Sequence, residues 1–127
     1  MDWYKDICDF HTEVMGDSFP TKPYVPNENL VKLRKSLILE EIGETLKAMD
    51  ENNLVEFADG ITDSIVVLLG AAITYGIDIR PVWDEVHKTN MAKKDGPIRE
   101  DGKKLKPEGW VRPDIRKILI AQGMENE

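Results

Sequence analysis

Residues 27–75 read NENLVKLRKSLILEEIGETLKAMDENNLVEFADGITDSIVVLLGAAITY, and this stretch decides the fold. Leu30, Leu33, Leu37, Ile38, Ile42, Leu46 and Met49 recur at spacings of three and four, the period of a helix, which predicts one long helix from an Asn27 cap to about Asp50. Asp50-Glu51-Asn52-Asn53 is a polar turn. Leu54 to Tyr75 then reads as a second long helix, nearly apolar all round in its C-terminal half, which predicts burial on most sides. The run Ile65-Val66-Val67-Leu68-Leu69 alone would suit a buried strand, but periodic residues on both sides and the lack of an alternating partner strand favour helix. Two long helices joined by so short a turn form an antiparallel hairpin.

Working outward, Ile7, Phe10, Val14 and Met15 mark a first helix over 2–15, stopped by Gly16. Pro20, Pro23 and Pro26 exclude helix from 17–26 because each lacks an amide donor and fixes φ. After Gly76, with Asp78 as a cap, Val82, Trp83, Val86 and Met91 carry a helix to about Ala92. Residues 93–112 hold Gly96-Pro97, Asp101-Gly102 and Pro107-Glu108-Gly109 and read as loop or short hairpin. Pro113 at the first helical position then opens a short closing helix with Ile115, Ile118, Leu119 and Ile120. The expectation is an all-α helical bundle built on the hairpin, one domain over 1–127.

A chain of 127 residues can bury a core without staples, and its single cysteine, Cys8, excludes an internal disulfide framework. Met1-Asp2-Trp3-Tyr4-Lys5-Asp6 has no apolar signal region. The longest apolar run, Ile65 to Ile73 counting Gly70, is far short of the roughly 20 residues of a membrane helix. A soluble, cytoplasmic protein with no membrane partner is therefore expected. The formal charge of −7 disfavours nucleic acid, yet it conceals a split. Residues 1–87 carry 7 Lys/Arg against 17 Asp/Glu, whereas 88–117 carry 10 against 5.

The acidic part has internal order. Glu41 and Glu44 share a helical face, Asp59 and Asp63 share one on the next helix, and Glu56 lies a turn earlier on that stripe. With the turn centred near residue 52, facing positions total about 104, so Glu41 opposes Asp63 and Glu44 opposes Asp59. Four carboxylates at one level repel unless something positive joins them. Oxygen donors without paired His or Cys suit a hard cation, Mg²⁺ or Mn²⁺, better than zinc. Gly43 and Gly60 are expected to leave open space beside the acids. The bland alternative is a solvated acidic face. A di-iron site, using Asp84-Glu85-Val86-His87, finds only His11 for its second histidine. Glu40, about 100° round the helix from Glu41, is the candidate to position or deprotonate a water.

The basic segment offers a grip for an anion. Asn90 shares a stripe with Lys93, and Arg99 and Lys106 follow before Trp110, which either packs on the core or closes over a bound base. Cations beside a divalent cluster suit a polyphosphate. Lys103, Lys104, Arg116 and Lys117 read as solvated. Cys8 reads as a small core residue, and Phe10 and His11 either border a pocket or take a surface or core role.

Glu40-Glu41-Ile42-Gly43-Glu44 followed by a second acidic helix resembles the all-α nucleoside triphosphate pyrophosphohydrolases of the MazG-like and phosphoribosyl-ATP pyrophosphohydrolase-like type. Glu56-Phe57-Ala58-Asp59 formally matches the second acidic motif, whereas Asp63 holds the place directly before the apolar run, and the register assigns Asp59 and Asp63. Glu85 to Lys93, Asp95-Gly96-Pro97, Glu100 to Lys103 and Leu105 to Trp110 are similar to a house-cleaning branch that includes dUTP-hydrolysing enzymes. The resemblance implies a Mg²⁺-dependent enzyme that cleaves a nucleoside triphosphate between its α- and β-phosphates, and a homodimer or dimer of dimers. On that reading Glu41, Glu44, Asp59 and Asp63 hold metal, Glu40 serves catalysis, and Asn90, Lys93, Arg99, Lys106 and Trp110 hold substrate. Two rivals stand beside it: phosphoribosyl-ATP hydrolysis, and a non-catalytic metal- or nucleotide-binding module.

Overall fold

The structure is a computed structural model that describes residues 1–125. Five helices follow one another among these residues: α1 (Trp3–Glu13), α2 (Glu28–Asp50), α3 (Leu54–Thr74), α4 (Ile79–Met91) and α5 (Ile115–Ala121). The protein is all-α, as the periodicity predicts. Residues Met1–Asp78 form one compact unit, and a second begins at Ile79.

In the first unit, side-chain caps set where the helices begin. Asn27 accepts from the Leu30 amide and Asn53 from the Glu56 amide, each satisfying a donor that the first turn leaves without a partner. The turn between α2 and α3 is closed by Asn52 at φ 52°, a left-handed conformation that asparagine tolerates. Beyond α3, Gly76 adopts φ +73° while its backbone presses on the Lys22 carbonyl, so this turn has room for no side chain. The Tyr24 amide donates to the Tyr75 carbonyl there, tying the proline-rich connector to the end of α3.

The α2–α3 pairing is the main contact of this unit, with α1 laid against α3. The fully buried positions are not those of the leucine stripe, of which Leu37 and Ile38 are half-buried. Thr45 and Ala48 are the buried positions of α2, and Gly60, Ser64, Gly70 and Ile73 those of α3. Leu33, Ile42, Leu46 and Met49 flank the contact and stay exposed, because small side chains let the helices approach closely and larger ones are displaced to the sides. The expected burial of α3 on most sides is corrected likewise: Leu68 is 47% exposed, and Leu54 and Ile61 are exposed too. By length and composition α3 could cross a membrane, and 22% of that apolar window is buried within the chain. His11, whose role the sequence left open, is a buried residue bonded through Nδ1 to Asp17 at 3.0 Å.

The second unit pairs α4 with α5. A bridge between Ile98 and Lys104 makes residues 98–104 a short hairpin, matching one of the two readings of this segment. Pro113 is not the first residue of α5: Asp114 caps the helix by accepting from the Lys117 amide at 3.2 Å, which places Pro113 outside it. Trp83 and Met91, expected to help carry the apolar face of α4, are exposed.

Ile73 is 2% exposed at the centre of the first unit. Ile73→Ala should lower unfolding stability by about 2–5 kcal/mol in urea titrations, from lost transfer energy plus the cavity left behind.

Candidate active site

The hairpin turns two short acidic motifs into one electrostatic neighbourhood. Thr45 packs against Gly60, and the Arg34 side chain lies across the α3 backbone at Gly70 and donates to the Val67 carbonyl at 3.4 Å. Both contacts agree with the register read from the sequence. The Glu41 carboxyl accordingly feels the charges of Glu44, Asp63, Glu40 and Asp59, in that order, after its own desolvation. Burial and like charge act in one direction here and raise its pKa above the ordinary carboxylate value. One oxygen, Glu41 Oε2, is shut off from solvent and has no hydrogen-bond partner among the described residues.

An orphaned carboxylate oxygen among four further acids is costly in isolation. The donor set, all oxygen, fits a hard divalent cation in its chemistry. Its geometry is open: among the described residues no three acidic, cysteine or histidine side chains close on one point as metal ligands. Glu40, Glu44 and Asp59 are exposed and Asp63 is half-buried, so the site faces solvent through all but Glu41. Glu56 is exposed and absent from the charges that perturb Glu41.

One expectation beside the acids is corrected. Gly43 has open space, but Gly60 does not: it is buried against Thr45, where the two helices leave no room for a Cβ. The sequence reading also passed over Arg34, whose Nε is buried without a partner and whose guanidinium has its pKa lowered by burial, partly offset by Asp17. A lone Arg in the leucine-rich first half of α2, seven residues before Glu41, was the available signal.

In the second unit Trp110 donates its indole N–H to the Thr89 carbonyl at 2.7 Å, so the ring packs on α4. Lys93 and Lys106 stand over that ring at 5.1 and 4.9 Å from its centroid. The Lys93 ammonium also donates to Asn90 Oδ1 at 3.1 Å. Asn90, Lys93, Lys106 and Trp110 thus form one cluster. Arg99 is engaged elsewhere, donating from Nε and a terminal nitrogen to Asp101 at the hairpin tip. Beside Trp110 a cavity of about 440 Å³ is lined by Glu85, Lys88, Ala92, Arg112 and Asp114, among others.

The phosphoribosyl-ATP pyrophosphohydrolase family matches residues 7–90. The chain belongs to that family. The match takes in Glu40, Glu41, Glu44, Asp59, Asp63 and Asn90, while Lys93, Arg99, Lys106 and Trp110 lie beyond it. The chain is also similar to the uncharacterized protein L479 of Acanthamoeba polyphaga mimivirus, with 41% identity over 61 residues. That alignment covers 48% of this chain and 24% of the viral protein, so the chain spans about a quarter of the curated relative it matches.

For this member of the family the acids carry a measurable signature. A carboxyl whose folded pKa lies above its unfolded value binds extra protons in the native state, so stability falls as pH rises between those two values. Glu41→Gln removes that penalty. The metal-free variant should melt at a higher temperature than wild type at neutral pH, and the difference should vanish on acidification below the unfolded carboxylate range, as followed by circular dichroism.

Proposed function

We propose that this protein is a divalent-cation-dependent nucleoside triphosphate pyrophosphohydrolase that releases a nucleoside monophosphate and pyrophosphate from a (deoxy)nucleotide such as dUTP. The observation that carries this reading is Glu41, with one oxygen orphaned and four acids around it on the helical hairpin. Family membership supports pyrophosphohydrolase chemistry on a nucleotide without selecting the base.

In this reading Glu41, Glu44, Asp59 and Asp63 would hold Mg²⁺ or Mn²⁺, which when bound supplies charge neutralisation on the phosphates and activation of water. Glu40 stays solvent-facing and accepts the proton of the attacking water. Water oxygen bonds to the α-phosphorus, the bond to the bridging oxygen breaks, and pyrophosphate leaves with that electron pair. Lys93 and Lys106, paired with no acidic side chain among the described residues, donate to phosphate oxygens, and Asn90 holds the Lys93 ammonium in place. The packing of Trp110 gives both ammoniums a fixed aromatic platform. Arg99, paired with Asp101, would have to exchange that partner to reach substrate.

We also propose a homodimer or dimer of dimers. Leu33, Ile42, Leu46 and Met49 of α2 and Leu68 of α3 leave more apolar surface exposed than one isolated copy would keep from water. Leu46→Glu should shift the species seen by light scattering toward monomer.

A panel of nucleoside triphosphates and phosphoribosyl-ATP, incubated with Mg²⁺ and read by product identification, tests the activity. Pyrophosphate release should fall at least about 100-fold in Glu41→Gln, and Lys93→Ala should raise KM about tenfold, near 1.4 kcal/mol of phosphate binding. Turnover of phosphoribosyl-ATP alone would select the second reading, with which the family match is equally consistent. Tight nucleotide binding with no turnover would leave the binding-module reading.

A further inference from the structure

We propose that Gly60, Thr45 and Ser64 are positioning residues that set the α2–α3 spacing at the level of the four acids, and so decide whether those carboxylates can share one divalent cation. This rests on the reading of Glu41, Glu44, Asp59 and Asp63 as a cation site.

The placement is alternate along both helices. Thr45 directly follows Glu44, Gly60 directly follows Asp59, and Ser64 directly follows Asp63. All three small residues are buried, whereas Glu44 and Asp59 beside them are exposed and Asp63 is half-buried. A Cβ placed on Gly60 would come within 2.5 Å of Thr45 Oγ1, 3.0 Å of its Cα and 3.2 Å of its Cβ. Rotation of a side chain could relieve the first of these but not the second, because a Cα moves only with its helix. The Thr45 hydroxyl is itself held in place. It donates to the Glu41 carbonyl at 2.8 Å, so its proton is committed, and Ser64 Oγ, at 3.2 Å, is the donor of the pair. One short chain of hydrogen bonds therefore runs from Ser64 on α3 through Thr45 to the backbone of Glu41.

Any side chain at position 60 would push the helices apart by up to about 1 Å before ordinary carbon contact is restored. Mg²⁺ demands oxygen ligands near 2.1 Å in close to ideal octahedral geometry, so a shift of that size matters far more to a shared cation than to the packing itself. Gly43 supplies the internal contrast. It lies between Glu41 and Glu44, yet a Cβ there meets nothing within 4 Å.

The test uses the full-length chain and Mn²⁺ alone, with free Mn²⁺ counted by electron paramagnetic resonance and folding checked by circular dichroism. Gly60→Ala should weaken Mn²⁺ binding tenfold or more, and Gly43→Ala should stay within twofold of wild type. Adding Thr45→Ala to Gly60→Ala removes Oγ1 but leaves the Thr45 Cα at 3.0 Å and its Cβ at 3.2 Å from the new methyl group, so it should not restore wild-type binding. A folded Gly60→Ala that binds Mn²⁺ like wild type overturns the proposal, and so does a double variant that regains wild-type binding. Should Gly60→Ala fail to fold, Ser64→Ala decides: it adds no bulk and removes the donor to Thr45, so a loss of about threefold supports the spacer and wild-type binding overturns it. Wild-type protein that holds no Mn²⁺ overturns the cation site and the spacer together, which separates that failure from failure of the spacer alone.

Discussion

The first unit depends on how closely two helices approach. Gly60 and Thr45 meet at a distance that leaves no space for a methyl group, and Ser64 adds a hydrogen bond at the same level. Close approach of this kind is available only to small residues, and the larger apolar side chains are displaced to the flanks of the contact. That displacement explains why Leu33, Ile42, Leu46 and Met49, whose spacing makes the helix recognisable, stay exposed on this chain. It also brings the acids that neighbour the small residues within electrostatic reach of one another.

The same geometry sets two opposing energies. Packing of Ile73, Ala48 and their neighbours favours the hairpin, while desolvation and four like charges act against an ionised Glu41. Stability would be better served without the acids. Their presence at the level where Gly60 packs on Thr45 is the physical case for a function there. The second unit solves a different problem. Lys93 and Lys106 are kept over one indole ring, whose own N–H is tied to α4, so two positive charges share a rigid platform.

Much of this was legible in the chain. The helical period, the Asn27 cap, the polar turn and the stop at Gly76 each rest on chemistry local to a few residues, and helix boundaries followed within one or two positions. The opposition of Glu41 and Glu44 to Asp59 and Asp63 needed only a turn position and the rise of a helix. Less legible were the features that depend on which side of a helix touches another. Periodicity marks an apolar stripe along α2, but the positions fully buried on α2 and α3 include Thr45, Ala48, Gly60 and Ser64. Pro113 looked like a helix start because proline suits that position, yet the Asp114 side chain captured the first free amide and began the helix later. Arg99 was grouped with the other cations by charge, whereas a hairpin two residues long in reach gave it Asp101.

By itself the sequence determined that the protein is helical, that its long hairpin carries paired carboxylates, and that a basic segment follows, because propensity, capping and periodicity act over a turn or two of chain. Only the tertiary structure decided that Gly60 is filled by Thr45 rather than open, that one oxygen of Glu41 is orphaned, and that Lys93 and Lys106 converge on Trp110. Each of these is a distance between residues far apart in sequence or on different faces. Such distances are set by the sum of many packing contacts, which no local pattern of residue types encodes.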